Sequence, residues 1–122
     1  MKKNSNESTE NYLETILVLS KRLPVVRSID IANELSFSKA SVSVAMKHLR
    51  ENEQIEVSDA GFITLTKEGE KIAKMIYERH TLLTEWLIKL GVDEKTASED
   101  ACRIEHDISK KSFQAIKKHI KG

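Results

Sequence analysis

Ser28-Ile29-Asp30-Ile31-Ala32-Asn33-Glu34-Leu35-Ser36-Phe37-Ser38-Lys39-Ala40-Ser41-Val42-Ser43-Val44-Ala45-Met46-Lys47-His48-Leu49 reads as two short amphipathic helices joined by a tight turn. Ser28 can cap the first, in which Ile31, Ala32 and Leu35 share a face. Ser36-Phe37 forms the turn, and Ser38 can cap a second helix whose Val42, Ala45, Met46 and Leu49 point inward. That is the helix-turn-helix pattern. Ile55-Glu56-Val57 and Phe62-Ile63-Thr64-Leu65 follow, two β-prone runs around the turn Ser58-Asp59-Ala60-Gly61. Helix, turn, helix and hairpin in that order predict a winged helix.

Upstream, residues 1–7 are polar and read as a short disordered arm. Ser8 or Thr9 can cap a first helix with Tyr12, Leu13, Ile16, Leu17 and Leu19 on its apolar stripe. Asn11 and Glu14 lie three apart on a more polar face, and Pro24 marks the end of the element. Downstream, Thr66 can cap a long helix, with Glu68 and Glu70 near its positive end. Ile72, Ile76, Leu83, Leu87 and Leu90 trace its seam, and Gly91 is placed to stop it. Asp93 can cap the next helix, and Ser109 a last one carrying Phe113, Ile116 and Ile120. The expected fold class is mainly α. A winged-helix domain over residues 8–75 precedes a helical domain over residues 76–122.

Composition narrows the function classes. The chain has 122 residues, 39% hydrophobic and 32% charged, with one Trp, two Tyr and three Phe. A core this lean points to completion by dimerisation. Trp86, Leu87, Leu90, Ile104, Phe113 and Ile116 are more apolar surface than such short helices are expected to bury alone. The net charge of +1 excludes a grossly basic nucleic-acid binder but not a local basic face. A single cysteine forbids an intrachain disulfide and fits a reducing compartment. No apolar run approaches the ~20 residues of a membrane span, and the N-terminus lacks a signal core. A cytoplasmic protein without a membrane partner is expected.

On the second helix of the pair, Lys39, Ala40, Ser43, Val44 and Lys47 fall away from the apolar stripe. A recognition helix offers such a face to the major groove. Lys39 and Lys47 can bind phosphates, as can Arg27 nearby, while Ser38 and Ser41 can donate to phosphate or base edges. Ala40 and Val44 can meet thymine methyls. The face is poor in Arg, Asn and Gln, the usual bidentate base readers, so specificity would need paired half-sites or DNA shape.

A second constellation is Cys102-Arg103-Ile104-Glu105-His106. On a helix Cys102, Glu105 and His106 stand at i, i+3 and i+4, which share one face. A thiolate, a carboxylate and an imidazole there make the start of a transition-metal site.

Several ordered pieces carry a family resemblance. They are Glu10-Asn11-Tyr12-Leu13-Glu14, the helix-turn-helix, Leu65-Thr66-Lys67-Glu68-Gly69, Arg79-His80, Gly91-Val92-Asp93 and Ala101 through His106. Together they resemble the diphtheria-toxin-repressor family of metal-dependent bacterial transcriptional repressors, which has iron-responsive and manganese-responsive branches. The resemblance implies a homodimer that binds double-stranded operator DNA, with a divalent metal as co-repressor controlling metal-homeostasis genes. It implies His80, Cys102, Glu105 and His106 as ligands. Glu14 matches a ligand position of the manganese branch. Asn11 stands where iron-type members carry Met and manganese-type members Asp. Thr84 and Ser98 replace the glutamate and histidine of the iron-type ancillary site, so that site is not expected intact. The chain stops at Gly122, so the C-terminal SH3-like domain of longer members is not expected either.

Thiolate softness favours Fe(II), with Mn(II) second and Zn(II) or Co(II) able to bind in vitro. The rival within the class is a metal-independent winged-helix regulator. A metalloenzyme is disfavoured, since no nucleophile motif, phosphate loop or separate general base is present, and no small-molecule substrate is expected.

Overall fold

The computed structural model describes residues 6–121. The chain resolves into two compact units, Ser8–Lys74 and a second built from Met75 onward. Six helices and a two-stranded antiparallel sheet make up the described structure.

In the first unit, α1 (Asn6–Arg22) buries Tyr12, Leu13, Ile16, Leu17 and Leu19. It begins before Ser8 and Thr9, the expected caps, because nothing from Asn6 to Thr9 breaks a helix. Residues 1–5 of the expected arm lie outside the described residues, while Asn6 and Glu7 are helical. Leu23 N–H still bonds Leu19 O at 2.8 Å before Pro24 turns the chain.

Helix α2 (Ser28–Leu35) differs from expectation at its start. Arg27, not Ser28, is the N-cap residue. Asp30 Oδ2 reaches back to accept Arg27 N–H at 2.9 Å, which fixes the start one residue early. Ser36 ends the helix in the left-handed region at φ 58, and Phe37 N–H bonds Ala32 O at 3.0 Å. Ser38 then caps α3 (Lys39–Glu51), its Oγ accepting Ser41 N–H at 3.1 Å. Val42, Met46 and Leu49 are buried, as their spacing requires.

Strands β1 (Ile55–Val57) and β2 (Ile63–Leu65) pair with Ile55 opposite Leu65 and Val57 opposite Ile63. Gly61 takes φ 86 in the connecting turn, where Gly61 N–H bonds Ser58 O at 2.9 Å. Val26 O accepts Ile63 N–H at 2.7 Å, so the segment before α2 ties down the wing. One core joins Leu13, Ile16, Ile31, Val42, Ile55 and Ile63. Each such side chain contributes roughly 1.5–3 kcal/mol by burial.

Helix α4 (Lys67–Lys89) contributes to both units. Thr66 caps it, Gly69 N–H bonding Thr66 Oγ1 at 3.1 Å. A Cβ on Gly69 would overlap the Gln54 carbonyl, so glycine is required where this helix starts against the strand. Further along, Ile76 and Leu83 are fully buried. Leu90 departs from the expected seam, lying beyond the last helical turn and 64% exposed.

In the second unit, Gly91 (φ 105) turns the chain into α5 (Glu94–Asp107). Asp93 caps α5, Oδ2 accepting Thr96 N–H at 3.0 Å. Helix α6 (Lys110–Lys121) is capped by Ser109, whose Oγ accepts Ser112 N–H at 3.0 Å. Leu83, Ala101 and Phe113 form the small core, with Trp86, Ile104 and Ile116 half-buried around it. Phe113 is therefore satisfied within its own unit rather than left for a partner.

Candidate metal centre and nucleic-acid face

Helix α5 delivers what its spacing promises. Cys102 Sγ, a Glu105 carboxylate oxygen and a His106 ring nitrogen lie within 4.8 Å of one another. Two tetrahedral ligands of one ion with bonds of ~2.0–2.3 Å stand ~3.3–3.8 Å apart, so modest side-chain adjustment would close the group. Glu105 is fully buried and the His106 side chain only 2% exposed. Cys102 is exposed rather than packed as a small hydrophobe. These placements set aside an inert core thiol and a solvated carboxylate.

Glu105 is held asymmetrically. His80 Nδ1, from α4, lies 2.8 Å from Oε1. A carboxylate only accepts, so in this arrangement Nδ1 carries the proton, and in the neutral ring Nε2 is the nitrogen left to act as a donor to metal. Ser98 Oγ lies 3.5 Å from Nε2. Glu105 Oε2 stands 3.5 Å from His106 Nε2 and, although buried, has no hydrogen-bond partner among the described residues. An unsatisfied buried acceptor costs roughly 1–3 kcal/mol, more when charged. A cation among sulfur, oxygen and nitrogen donors removes that cost, so the residues present fit a divalent transition metal.

Asn11 and Glu14 sit on α1, half-buried, in the other unit, and are not part of this within-unit group. Thr84 and Ser98 offer only neutral hydroxyls. His48 and His119 are exposed on α3 and α6.

Arg79 is the residue that sequence reasoning passes over. It is 7% exposed, and its Nη1 donates to Glu105 O and Ile108 O, both at 3.0 Å. Its guanidinium also lies over the Phe113 ring, 5.4 Å from the centroid. A cation thus closes the carbonyl end of α5 one turn from the ligands. A signal does exist: Ile72, Ile76, Arg79 and Leu83 recur at i, i+4, i+7 and i+11, so Arg79 stands on the apolar seam.

On α3, Lys39, Ala40, Ser41, Ser43, Val44 and Lys47 are all exposed, as is Ser38 before it. Val44 is 57% exposed on the same face. Ser38 Oγ donates to Ser41 Oγ at 2.9 Å, so Ser38 is committed to the cap and Ser41 keeps its own proton to give. Arg27 is exposed, and its guanidinium lies over the wing residue Phe62, 4.9 Å from the ring centroid.

Residues 5–61 match the family model described as iron dependent repressor, N-terminal DNA binding domain. Residues 66–122 match iron dependent repressor, metal binding and dimerisation domain. An HTH-type transcriptional regulator of Methanocaldococcus jannaschii is 32% identical over 114 residues, which cover 92% of this chain and 91% of that protein. The HTH-type transcriptional regulator MntR of Bacillus subtilis is 34% identical over 109 residues, 89% of this chain and 77% of MntR. The structure of the manganese regulator SloR matches 99% of this chain at 27% identity with a TM-score of 0.83. A manganese-dependent transcriptional repressor in complex with manganese matches 88% at 25% identity with a TM-score of 0.80. The chain spans 55% and 50% of those two structures' lengths. No described helix is long and apolar enough to cross a membrane. With both family models matched in order, and relatives at this identity named as transcriptional regulators, the chain belongs to the iron-dependent, or diphtheria-toxin-repressor, family of metal-dependent transcriptional regulators.

Proposed function

We propose that this chain is a non-enzymatic transcriptional repressor that binds operator DNA as a homodimer in the cytoplasm, with a divalent metal as co-repressor for metal-homeostasis genes. The observation that supports the metal requirement is Glu105 Oε2, buried and without a hydrogen-bond partner among the described residues, beside Cys102 and His106. Residues 8–75 read DNA, and residues 76–122 bind metal and dimerise. The dimer draws on the half-buried Trp86, Ile104 and Ile116.

Cys102, Glu105 and His106 hold the ion. His80 orients Glu105 and offers Nε2. Glu14 and Asn11 are the further donors, on the strength of the family resemblance. Bound there, the ion supplies a Lewis acid that links donors carried by separate elements. α3 enters the major groove, with Lys39 and Lys47 on phosphates and Ser41, Ala40 and Val44 toward base edges.

Two observations bear on the metal. The Cys102 thiolate favours Fe(II), which also binds N/O/S sites more tightly than Mn(II). The relatives named for manganese favour Mn(II). Fe(II) is the first choice on donor chemistry and Mn(II) the second.

Linkage supplies the test. Only preferential binding to the DNA-competent arrangement shifts the population toward it, and the coupling is reciprocal. Metal affinity measured by competition with a fluorescent chelator should rise at least about 5-fold when operator duplex is present. Equal affinities with and without duplex would contradict the proposal.

A further inference from the structure

Helix α6 carries five lysines, Lys110, Lys111, Lys117, Lys118 and Lys121, and no acidic residue. The whole chain has 20 basic and 19 acidic side chains, so without α6 its net charge would be −4. A quarter of the basic side chains thus lie on one helix of 12 residues that carries no acidic side chain. At 100° per residue the five lysines fall within an arc of about 120° centred on Gln114, with Phe113, Ile116 and Ile120 outside it, about 100–160° from its centre.

The arrangement costs stability. Lys117 and Lys121 stand at i, i+4 and Lys118 and Lys121 at i, i+3, spacings at which like charges repel by a few tenths of a kcal/mol. A solvated lysine helix normally relieves this with interleaved acids, and α6 has none. Among the described residues only Lys117 finds an ion pair, with Glu78 at 2.7 Å. Lys110, Lys111, Lys118 and Lys121 are exposed. The apolar side is already engaged, with Phe113 2% exposed and Ile116 against the same core. Insertion into a lipid surface needs that side free. Binding to a polyanion needs only the lysines.

We infer that the lysine face of α6 is a second, sequence-independent contact for the phosphate backbone of duplex DNA, separate from α3. The face is ~16 Å long, over which one strand of B-DNA presents about five phosphates. The inference rests on the DNA-binding reading above. It adds that affinity and salt sensitivity are supplied in part from the metal-binding half of the chain.

The experiment compares full-length wild type with a Lys110→Gln/Lys111→Gln/Lys118→Gln/Lys121→Gln variant. A charge-matched control carries Lys71→Gln, Lys74→Gln, Lys89→Gln and Lys95→Gln. Gln has nearly the helix propensity of Lys, and helical circular dichroism checks folding. Duplex binding is followed by anisotropy with Mn(II), across about 50–300 mM KCl. The α6 variant should lower the slope of log K against log salt by about 2–4, near 0.9 for each phosphate no longer neutralised. The control should change it by less than about 0.5. An α6 slope within about 0.5 of wild type, or an equal drop in the control, would overturn the inference. Operator binding by wild type that ignores chelator would instead count against the metal-sensing reading, and the slope comparison would still decide on α6.

Discussion

Glu105 presents two unlike oxygens: Oε1 meets His80 Nδ1 at 2.8 Å, while the buried Oε2 has no hydrogen-bond partner among the described residues. On the proposed metal reading, that second oxygen is the one that meets the ion. Glu105→Gln tests this, since the neutral isostere keeps the shape and removes the buried charge. Metal at about 100 times its Kd should stabilise wild type by about 2.7 kcal/mol. The variant should be at least as stable as metal-free wild type and gain almost nothing from metal. Thermal melts with and without Mn(II) measure both.

On the proposed reading, His80 acts first through Glu105. Partners that orient a ligand typically contribute about 10–100-fold in metal affinity. His80→Ala should therefore weaken metal binding by at least about 10-fold, and by more if Nε2 also ligates. His80→Asn, which keeps a donor for Oε1, should recover part of the loss. Calorimetric titration of both variants with Mn(II) reads this, and wild-type affinity in His80→Ala would remove His80 from the site.

On the proposed reading, Arg79 would join metal binding to stability. Its removal leaves the Glu105 and Ile108 carbonyls short of a charged donor in a buried place. Arg79→Ala should cost about 3 kcal/mol by urea denaturation. It should also loosen the end of α5, so metal affinity falls although no ligand has changed.

Asp93 sets an acid-side dependence. Hydrogen bonds from Thr96, backbone first and then side chain, hold its carboxyl below the usual value. A lowered folded-state pKa stabilises the fold above the ordinary carboxylate range, and the effect is lost as pH falls through the folded value. Asp93→Asn keeps a capping oxygen without the titration. The urea midpoints of wild type and variant should differ at neutral pH and converge toward about pH 3.

Legibility in the sequence follows the physics of each feature. Ser38, Thr66, Asp93 and Ser109 declare themselves as caps because a side-chain oxygen before an apolar-periodic run has few other uses. Cys102, Glu105 and His106 converge because helical spacing alone brings them together. Arg27 reads in the sequence as a phosphate ligand, and only three-dimensional packing sets its guanidinium over Phe62 in the wing. Helix α2 starts where Asp30 caps a backbone N–H from inside the helix, a reciprocal bond that single-residue preferences do not register. Arg79 escapes a sequence reading because a charge on an apolar seam is ordinarily discounted, and its carbonyl partners lie 26 and 29 residues away.

The most direct measurement is anaerobic fluorescence anisotropy with duplex from upstream of the protein's own gene. It is run in chelator, then with Fe(II), Mn(II) and Zn(II) in turn, and repeated with Cys102→Ala. The expected result is binding that appears only with metal, strongest with Fe(II) or Mn(II), and at least about 10-fold weaker in the variant. Tight binding in chelator, unchanged by any ion or by the substitution, would contradict the account. It would leave a winged-helix DNA binder in which Cys102, Glu105 and His106 have only structural roles.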